Sequence, residues 1–355
     1  MIASDLTLER LGWDDGHAAA FEPHAEEGLL PGRVAVQHRG AYDLNTAAGE
    51  VRAEPAGRLR HDAGGAGLPA AGDWVAFRPT EGGGHARIHA VLPRRTVFSR
   101  KAAWSPTEEQ VLAANVDVAF LVTSLNQDLN ARRLERYLTM AWESGAEPVV
   151  LLSKADLCEH PELAAVEVGA VALGVPVLVV SAVTGQGIEE IGTYVRPHRT
   201  GVLLGSSGVG KSTLVNALLG RELMEVKEIR EDGRGRHTTT RRELVPMPGG
   251  GLLLDTPGIR ELQLWDADEG IEGVFGDILE LTARCRFADC AHETEPGCAV
   301  HAAIDDGRLS LDRLRSFRKL ERELRALELK QDERARSNER RRRRVFARSL
   351  RRSAW

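Results

Sequence analysis

Residues 201–213, GVLLGSSGVGKST, constrain this chain more than any other stretch. A short apolar run ending at Leu204 feeds a loop of Gly205, Ser206, Ser207, Gly208, Val209 and Gly210. The loop closes on Lys211 and Ser212, and Thr213 continues into a helical run to Leu219. This is the G-x-x-x-x-G-K-[ST] phosphate loop in its strand–loop–helix setting. Gly205 permits a tight exit from the strand, and Gly208 and Gly210 let backbone N–H groups approach phosphate oxygens with no Cβ in the way. The helix N-terminus adds partial positive charge and donors. Lys211 suits the β- and γ-phosphates, and the Ser212 hydroxyl suits Mg²⁺. A Gly/Ser-rich turn with a chance lysine is the competing reading. The filled positions and correct flanks weigh against it.

The texture around the loop is α/β. From Val116, apolar runs (VDVAFLVTS, PVVLLS, VPVLVVS) alternate with helical runs at 130–144, near 161–173 and near 187–195, the first with Asn130 as its cap. Alternation of this kind predicts a mostly parallel sheet covered on both faces. After the phosphate loop, GGLLLD delivers Asp255 at the head of DTPG, 255–258. An aspartate there can hold the Mg²⁺ shell, and Gly258 can offer its N–H to the γ-phosphate. Asp-Thr-Pro-Gly alone is also a good turn, but its place after an apolar strand makes it specific. Residues 221–240 lack periodicity and end in GRGRHTTT. Threonines there, Thr239 among them, suit a switch over the γ-phosphate and metal; an ordinary insertion is the alternative.

The phosphate loop does not choose the base. That choice falls to Ser153, Lys154, Ala155 and Asp156, after strand PVVLL. The Asp156 carboxylate can accept from N1–H and the exocyclic amine of guanine, whereas adenine would leave it unpaired. The Lys154 stem can lie along the base. Ser181 and Ala182 can supply a backbone N–H to the guanine carbonyl.

Elsewhere the chain is less sharply marked. Residues 1–30 read as a weakly patterned extension with little to bury. From 31 to 95, short strand-like runs broken by Gly and Pro predict a small antiparallel barrel or sandwich. An OB-type barrel fits, either to bind oligonucleotides or merely to pack on its neighbour. Residues 94–115 read as a linker or a basic edge. Residues 96–275 would form the nucleotide domain, 276–330 a metal-binding domain with a helix, and 331–355 an Arg-rich tail. Cys285, Cys290, His292 and Cys298 give C-x4-C-x-H-x5-C, a complete tetrahedral set for one structural Zn²⁺. His301 is a spare ligand or a surface residue, and Cys158 a buried or bystander thiol. Leu311, Leu314, Phe317, Leu320, Leu324 and Leu327 recur at helical spacing as a packing face. Net charge is −5, yet Arg340 to Arg344 form an unbroken basic run, a solvated tail that can contact RNA phosphates. No stretch is long and apolar enough to span a membrane and the N-terminus has no signal pattern, so a cytoplasmic protein is expected.

The motif order points to a family. In ordinary small GTPases the phosphate loop comes first and the guanine motif late, whereas here 153–156 and 181–182 precede 205–212, 238–240 and 255–258. With a barrel before and a Cys/His cluster after, the chain resembles the ribosome small-subunit-dependent GTPase A family of bacteria. The resemblance implies an OB-fold domain, a circularly permuted GTPase domain and a mainly helical zinc domain. It further implies action late in small-subunit maturation, with rRNA as partner and with GTP hydrolysis, stimulated by the subunit, driving release; a monomer is expected. A zinc/OB RNA-binding protein with a vestigial nucleotide site is the rival. Two departures stand out. Ser153 stands where the family usually has Asn, or Thr in some members, and it cannot reach N7 of the base as Asn does. Ile259 occupies the place where many GTPases carry a water-orienting Gln, and the resemblance gives that task to His237.

Overall fold

The apolar runs of the nucleotide half become strands because β-branched and aliphatic side chains there are buried on both faces. The computed structural model describes the chain except at positions 1–6, 39, 63–66, 81–83, 103–104, 127–128, 221–242, 256–267, 288–289, 293–294 and 323–355. In chain order β8 is Val118–Ser124, β9 Glu147–Ser153, β10 Val177–Val179, β11 Thr200–Leu204, β12 Glu243–Pro246 and β13 Leu252–Asp255. They lie side by side as β10-β9-β8-β11-β13-β12, parallel except for β12. Every residue of β8 is buried. Helices α3 (Ala131–Glu143), α4 (Pro161–Gly169), α5 (Ile188–Val195) and α6 (Lys211–Leu219) connect them. Asn130 caps α3 as expected, accepting the Arg133 N–H at 3.1 Å.

Before this sheet stand five strands, β1 (Leu30–Gln37), β2 (Tyr42–Thr46), β3 (Gly49–Pro55), β4 (Trp74–Arg78) and β5 (Ala86–Val91), with a short helix α2 (Gly57–Asp62). The order β1-β2-β3-β5-β4 closes on itself through β1–β4. A bulge between Val34 and Val36 helps β1 serve both neighbours: residues 30–33 pair with β4 and 33–37 with β2. Closure leaves no exposed edge and encloses Val34, Leu44, Val75, Phe77 and Ile88. This is the OB-type barrel. Residues 94–115, expected as a linker or basic edge, instead contain β6 (Val97–Ala102) and β7 (Ser105–Ala114), a separate two-stranded sheet. The apolar end of β7, Val111 to Ala114, is buried.

The leading residues also depart from the sequence reading. They form a 3₁₀ turn at Glu9–Leu11 and a helix, α1 (Asp15–Glu26), whose N-cap Asp14 accepts from the His17 N–H at 3.0 Å. Leu11, His17 and Phe21 are buried, and Trp13 meets Trp74 edge-on at 4.7 Å. Trp13, His17 and Phe21 fall four residues apart, but the histidine in the middle of that short stripe leaves little apolar pattern to read.

One buried cation joins leader, barrel and nucleotide sheet. Arg33 on β1 is 2% exposed, and burial pushes its guanidinium down to about 10. It donates to the Leu11 carbonyl, to the Gly72 carbonyl at 3.2 Å, to the Asn115 carbonyl at 3.1 Å and to Thr200 Oγ1 at 2.8 Å. Removing the guanidinium leaves buried acceptors unsatisfied, so Arg33→Met should cost about 3 kcal/mol or more. Urea unfolding checks this, and a loss under about 1 kcal/mol would show the hub to be dispensable.

In the C-terminal region, α7 (Asp268–Thr282), α8 (Ala299–Asp305) and a helix at 311–322 pack together. Leu314, Phe317 and Leu320 are buried, with Phe317 edge-on to Phe275 at 5.5 Å, so these three form the packing face expected of the apolar stripe, whereas Leu311 at its start is 45% exposed and does not join it. Arg313 makes a two-pronged contact with Asp277 at 2.7 and 2.8 Å.

Candidate nucleotide site and metal cluster

Parallel strands bring their carboxyl ends to one edge of a sheet, and the loops leaving that edge are where α/β folds bind ligands. The phosphate loop leaves β11 there. Gly205 adopts φ +151°, and a Cβ on it would lie 2.3 Å from the Val122 carbonyl oxygen on β8, so only glycine fits. Gly208 and Gly210 follow with φ of +82° and +94°. Val209 is buried in the sheet's apolar core and pins the turn from beneath. Lys211 opens α6 and curls back over the loop, its Nζ donating to the Gly205 carbonyl at 2.7 Å and the Ser206 carbonyl at 2.5 Å. Ser212 and Thr213 are half-buried in the first turn of α6, while Ser207 is exposed.

The guanine motif leaves β9 at the same edge. Ser153 pairs in register with Ser124 of β8, whose neighbour on the far side is β11. Lys154 takes a left-handed conformation, φ +60°, and a 3₁₀ turn follows at Ala155–Leu157. The two motifs are tied together. Ser153 Oγ donates to the Val209 carbonyl at 2.6 Å and lies 3.2 Å from the Thr123 carbonyl, and Lys154 Nζ donates to the Gly208 carbonyl at 2.7 Å. The second base loop arrives from β10: Ser181 Oγ donates to Asp156 Oδ1 at 2.5 Å, and the Ser181 N–H goes to the Gln186 carbonyl at 3.0 Å. The Ala155 N–H is taken by the Val180 carbonyl at 3.2 Å. One acid, two lysines and a cradle of amides thus converge, a set able to hold a triphosphate and a purine with two donors on its Watson–Crick edge. Asp255 ends β13, next to β11 in the sheet. Its partner Gly258, the switch residues His237 and Thr239, Ile259 and the Arg340–Arg344 run lie outside the described residues.

The metal-ligating atoms of Cys285, Cys290, His292 and Cys298 all lie within 4.8 Å of one another. Zn–S bonds of about 2.3 Å and Zn–N bonds of about 2.05 Å place tetrahedral edges at about 3.8 Å for S–S and about 3.6 Å for S–N. The Cys285–Cys298 sulfur separation is 3.9 Å, and both sulfurs sit 3.5 Å from His292 Nδ1. The residues therefore fit zinc. Cys298 also forms the N-cap of α8 and accepts the His301 backbone N–H at 3.5 Å. His301 proves to be neither a spare ligand nor a simple surface residue. Its Nε2 donates to the His292 carbonyl at 2.6 Å, and Arg318 donates to that same carbonyl and to Ala291 O at 2.9 Å. His292 needs such a clamp because it sits at φ +57°, unusual for a residue with a Cβ. Sequence spacing could not reveal Arg318, which reaches the metal loop from the helix at 311–322. Outer contacts of this kind tune metal affinity by about 10–100-fold. Arg318→Ala should accordingly speed zinc transfer to a chromophoric chelator about tenfold or more; wild-type release kinetics would exclude the clamp.

Comparison with known proteins agrees with this arrangement. A family model described as RsgA GTPase matches residues 91–265. Curated relatives named small ribosomal subunit biogenesis GTPase RsgA include one from Opitutus terrae, 51% identical over 331 residues, covering 90% of this chain and 90% of the relative. Another, from Streptomyces coelicolor, is 51% identical over 334 residues, covering 93% and 90%. Among solved structures, YjeQ from Thermotoga maritima superposes with TM-score 0.63 at 27% identity, over 83% of this chain and 98% of that one. YloQ, described as a circularly permuted GTPase, shares the fold with TM-score 0.60 at 22% identity, over 84% and 96%. The inverted motif order, the shared sheet edge and these likenesses lead to one conclusion: the chain is a circularly permuted GTPase and belongs to the RsgA GTPase family.

Proposed function

We propose that this protein binds the small ribosomal subunit late in its maturation, hydrolyses GTP when the subunit stimulates it, and departs on hydrolysis. The observation that carries the reading is the double tie from Ser153 and Lys154 to the phosphate-loop carbonyls, which brings the base-reading acid and the triphosphate cradle into one site. The relatives' shared name supports the subunit as partner.

Within that reading, backbone N–H groups of 205–210 and Lys211 hold the phosphates, and Ser212 and Asp255 would hold Mg²⁺, which would supply charge neutralisation to the phosphates. Asp156 accepts from guanine N1–H and the exocyclic amine, held in place by Ser181 Oγ. Because the Ser181 N–H is engaged by Gln186, Ala182 supplies the amide for the guanine carbonyl. Gly258 serves the γ-phosphate, Thr239 the γ-phosphate and metal, and His237 positions the attacking water when the subunit is bound. One structural Zn²⁺ rests on Cys285, Cys290, His292 and Cys298. The barrel and the Arg-rich tail contact rRNA, and the protein works as a monomer in the cytoplasm. Among the described residues no helix is long and apolar enough to cross a membrane.

The decisive experiment is GTP turnover titrated with purified small subunits. Slow intrinsic turnover should rise steeply with subunit, and a flat titration would refute the reading. His237→Ala should abolish that stimulation while sparing nucleotide affinity, so unchanged stimulated turnover removes His237 from the mechanism. Asp156→Ala gives up two charge-assisted hydrogen bonds, so calorimetry should find GTP bound about a hundredfold more weakly. ATP, already weak, should change little.

A further inference from the structure

Guanine presents donors at N1 and its exocyclic amine, and acceptors at O6 and N7. A carboxylate answers only the donors. Each acceptor needs a donor of its own, so the donors around the base-reading loops decide how much of the ring is inspected.

Apart from the Ala182 N–H assigned above to the guanine carbonyl, the donors that follow are already committed. Ser153 is 2% exposed, and a hydroxyl has a single proton. Two carbonyls compete for it, Val209 O at 2.6 Å and Thr123 O at 3.2 Å. The Lys154 ammonium rests on Gly208 O at 2.7 Å. The Ala155 N–H is spent on Val180 O, the Ser181 N–H on Gln186 O, and the Ser181 hydroxyl on Asp156. Ser153 matters most among these. It stands at the strand end between the loop that carries Asp156 and the loop that holds phosphates. A carboxamide there has two N–H protons and could satisfy the loop carbonyl with one while offering the other to the base. A serine cannot do both.

We propose that this protein reads guanine along its Watson–Crick edge and leaves N7 unread, so that a guanine nucleotide with C–H in place of N7 is held as well as GTP. The proposal rests on the nucleotide reading above and makes Ser153 a specificity-determining residue whose hydroxyl serves the phosphate loop rather than the base.

The test is equilibrium competition on the full chain with GTP, 7-deaza-GTP and ATP. The wild type should bind 7-deaza-GTP within about threefold of GTP. Ser153→Asn should open a preference for GTP over 7-deaza-GTP of about tenfold, the size of one neutral hydrogen bond. Ser153→Ala should weaken both nucleotides by the same factor, since only the loop tie is lost. A wild type that binds 7-deaza-GTP tenfold or more weakly than GTP would overturn the proposal while leaving guanine selectivity intact. That single ratio decides the matter even if a variant fails to fold. Equal binding of ATP and GTP, or of neither, would instead overturn the nucleotide reading and this proposal with it.

Discussion

A loop that turns its amides inward to meet phosphate turns carbonyls outward, and outward carbonyls under a sheet edge need donors. Here the carbonyls of Gly208 and Val209 are taken by Lys154 and Ser153. That pair of bonds is the constraint on which the rest of the nucleotide site depends. It couples the stretch that contacts the base to the stretch that cradles phosphates, though they lie far apart in the chain. Ser181 then holds the Asp156 carboxylate from the third loop at 2.5 Å. Three loops become one surface because each spends its polar groups on another.

Side-chain donors stabilise irregular backbone elsewhere by the same logic. Arg33 gathers the carbonyls of Leu11, Gly72 and Asn115, with Thr200 Oγ1, at the place where leader, barrel and sheet converge. Gly72 is confined there, since a Cβ on it would lie 2.1 Å from the Ala114 carbonyl oxygen. His301 and Arg318 do for the metal loop what Ser153 and Lys154 do for the phosphate loop, answering the carbonyl of a residue in a left-handed conformation. In each case the strained or turning backbone is local in sequence and the donor that satisfies it is remote. Ser153 adds a functional consequence, because a proton committed to the scaffold is unavailable to a ligand.

Much of this was legible before any coordinates. The glycine spacing of 205–210, the apolar strand ahead of it and the aspartates after two other strands identified the nucleotide domain and its permuted order. Short runs broken by Gly and Pro identified the barrel, whose closure then follows from pairing β1 with both β2 and β4. The leader reads as a bare extension because its burial rests on a small aromatic cluster, Trp13 against Trp74, His17 and Phe21, whose four-residue spacing includes a histidine and so carries little apolar signal. Residues 94–115 were misread because their charges masked the buried end of β7.

The amino-acid sequence by itself determined which chemistry is present: a phosphate loop, an acid suited to guanine, a complete set of thiolate and imidazole ligands, and their order along the chain. These are written in residue identity and short spacing, and backbone geometry makes such spacing nearly sufficient. Only the tertiary structure decided who partners whom over long separations. It gave Ser153 to Val209, Arg33 to Thr200 and Arg318 to His292. The physical reason is that a hydrogen bond depends on where two groups arrive in space. Local pattern says nothing of which distant carbonyl will stand within three ångströms of a given donor.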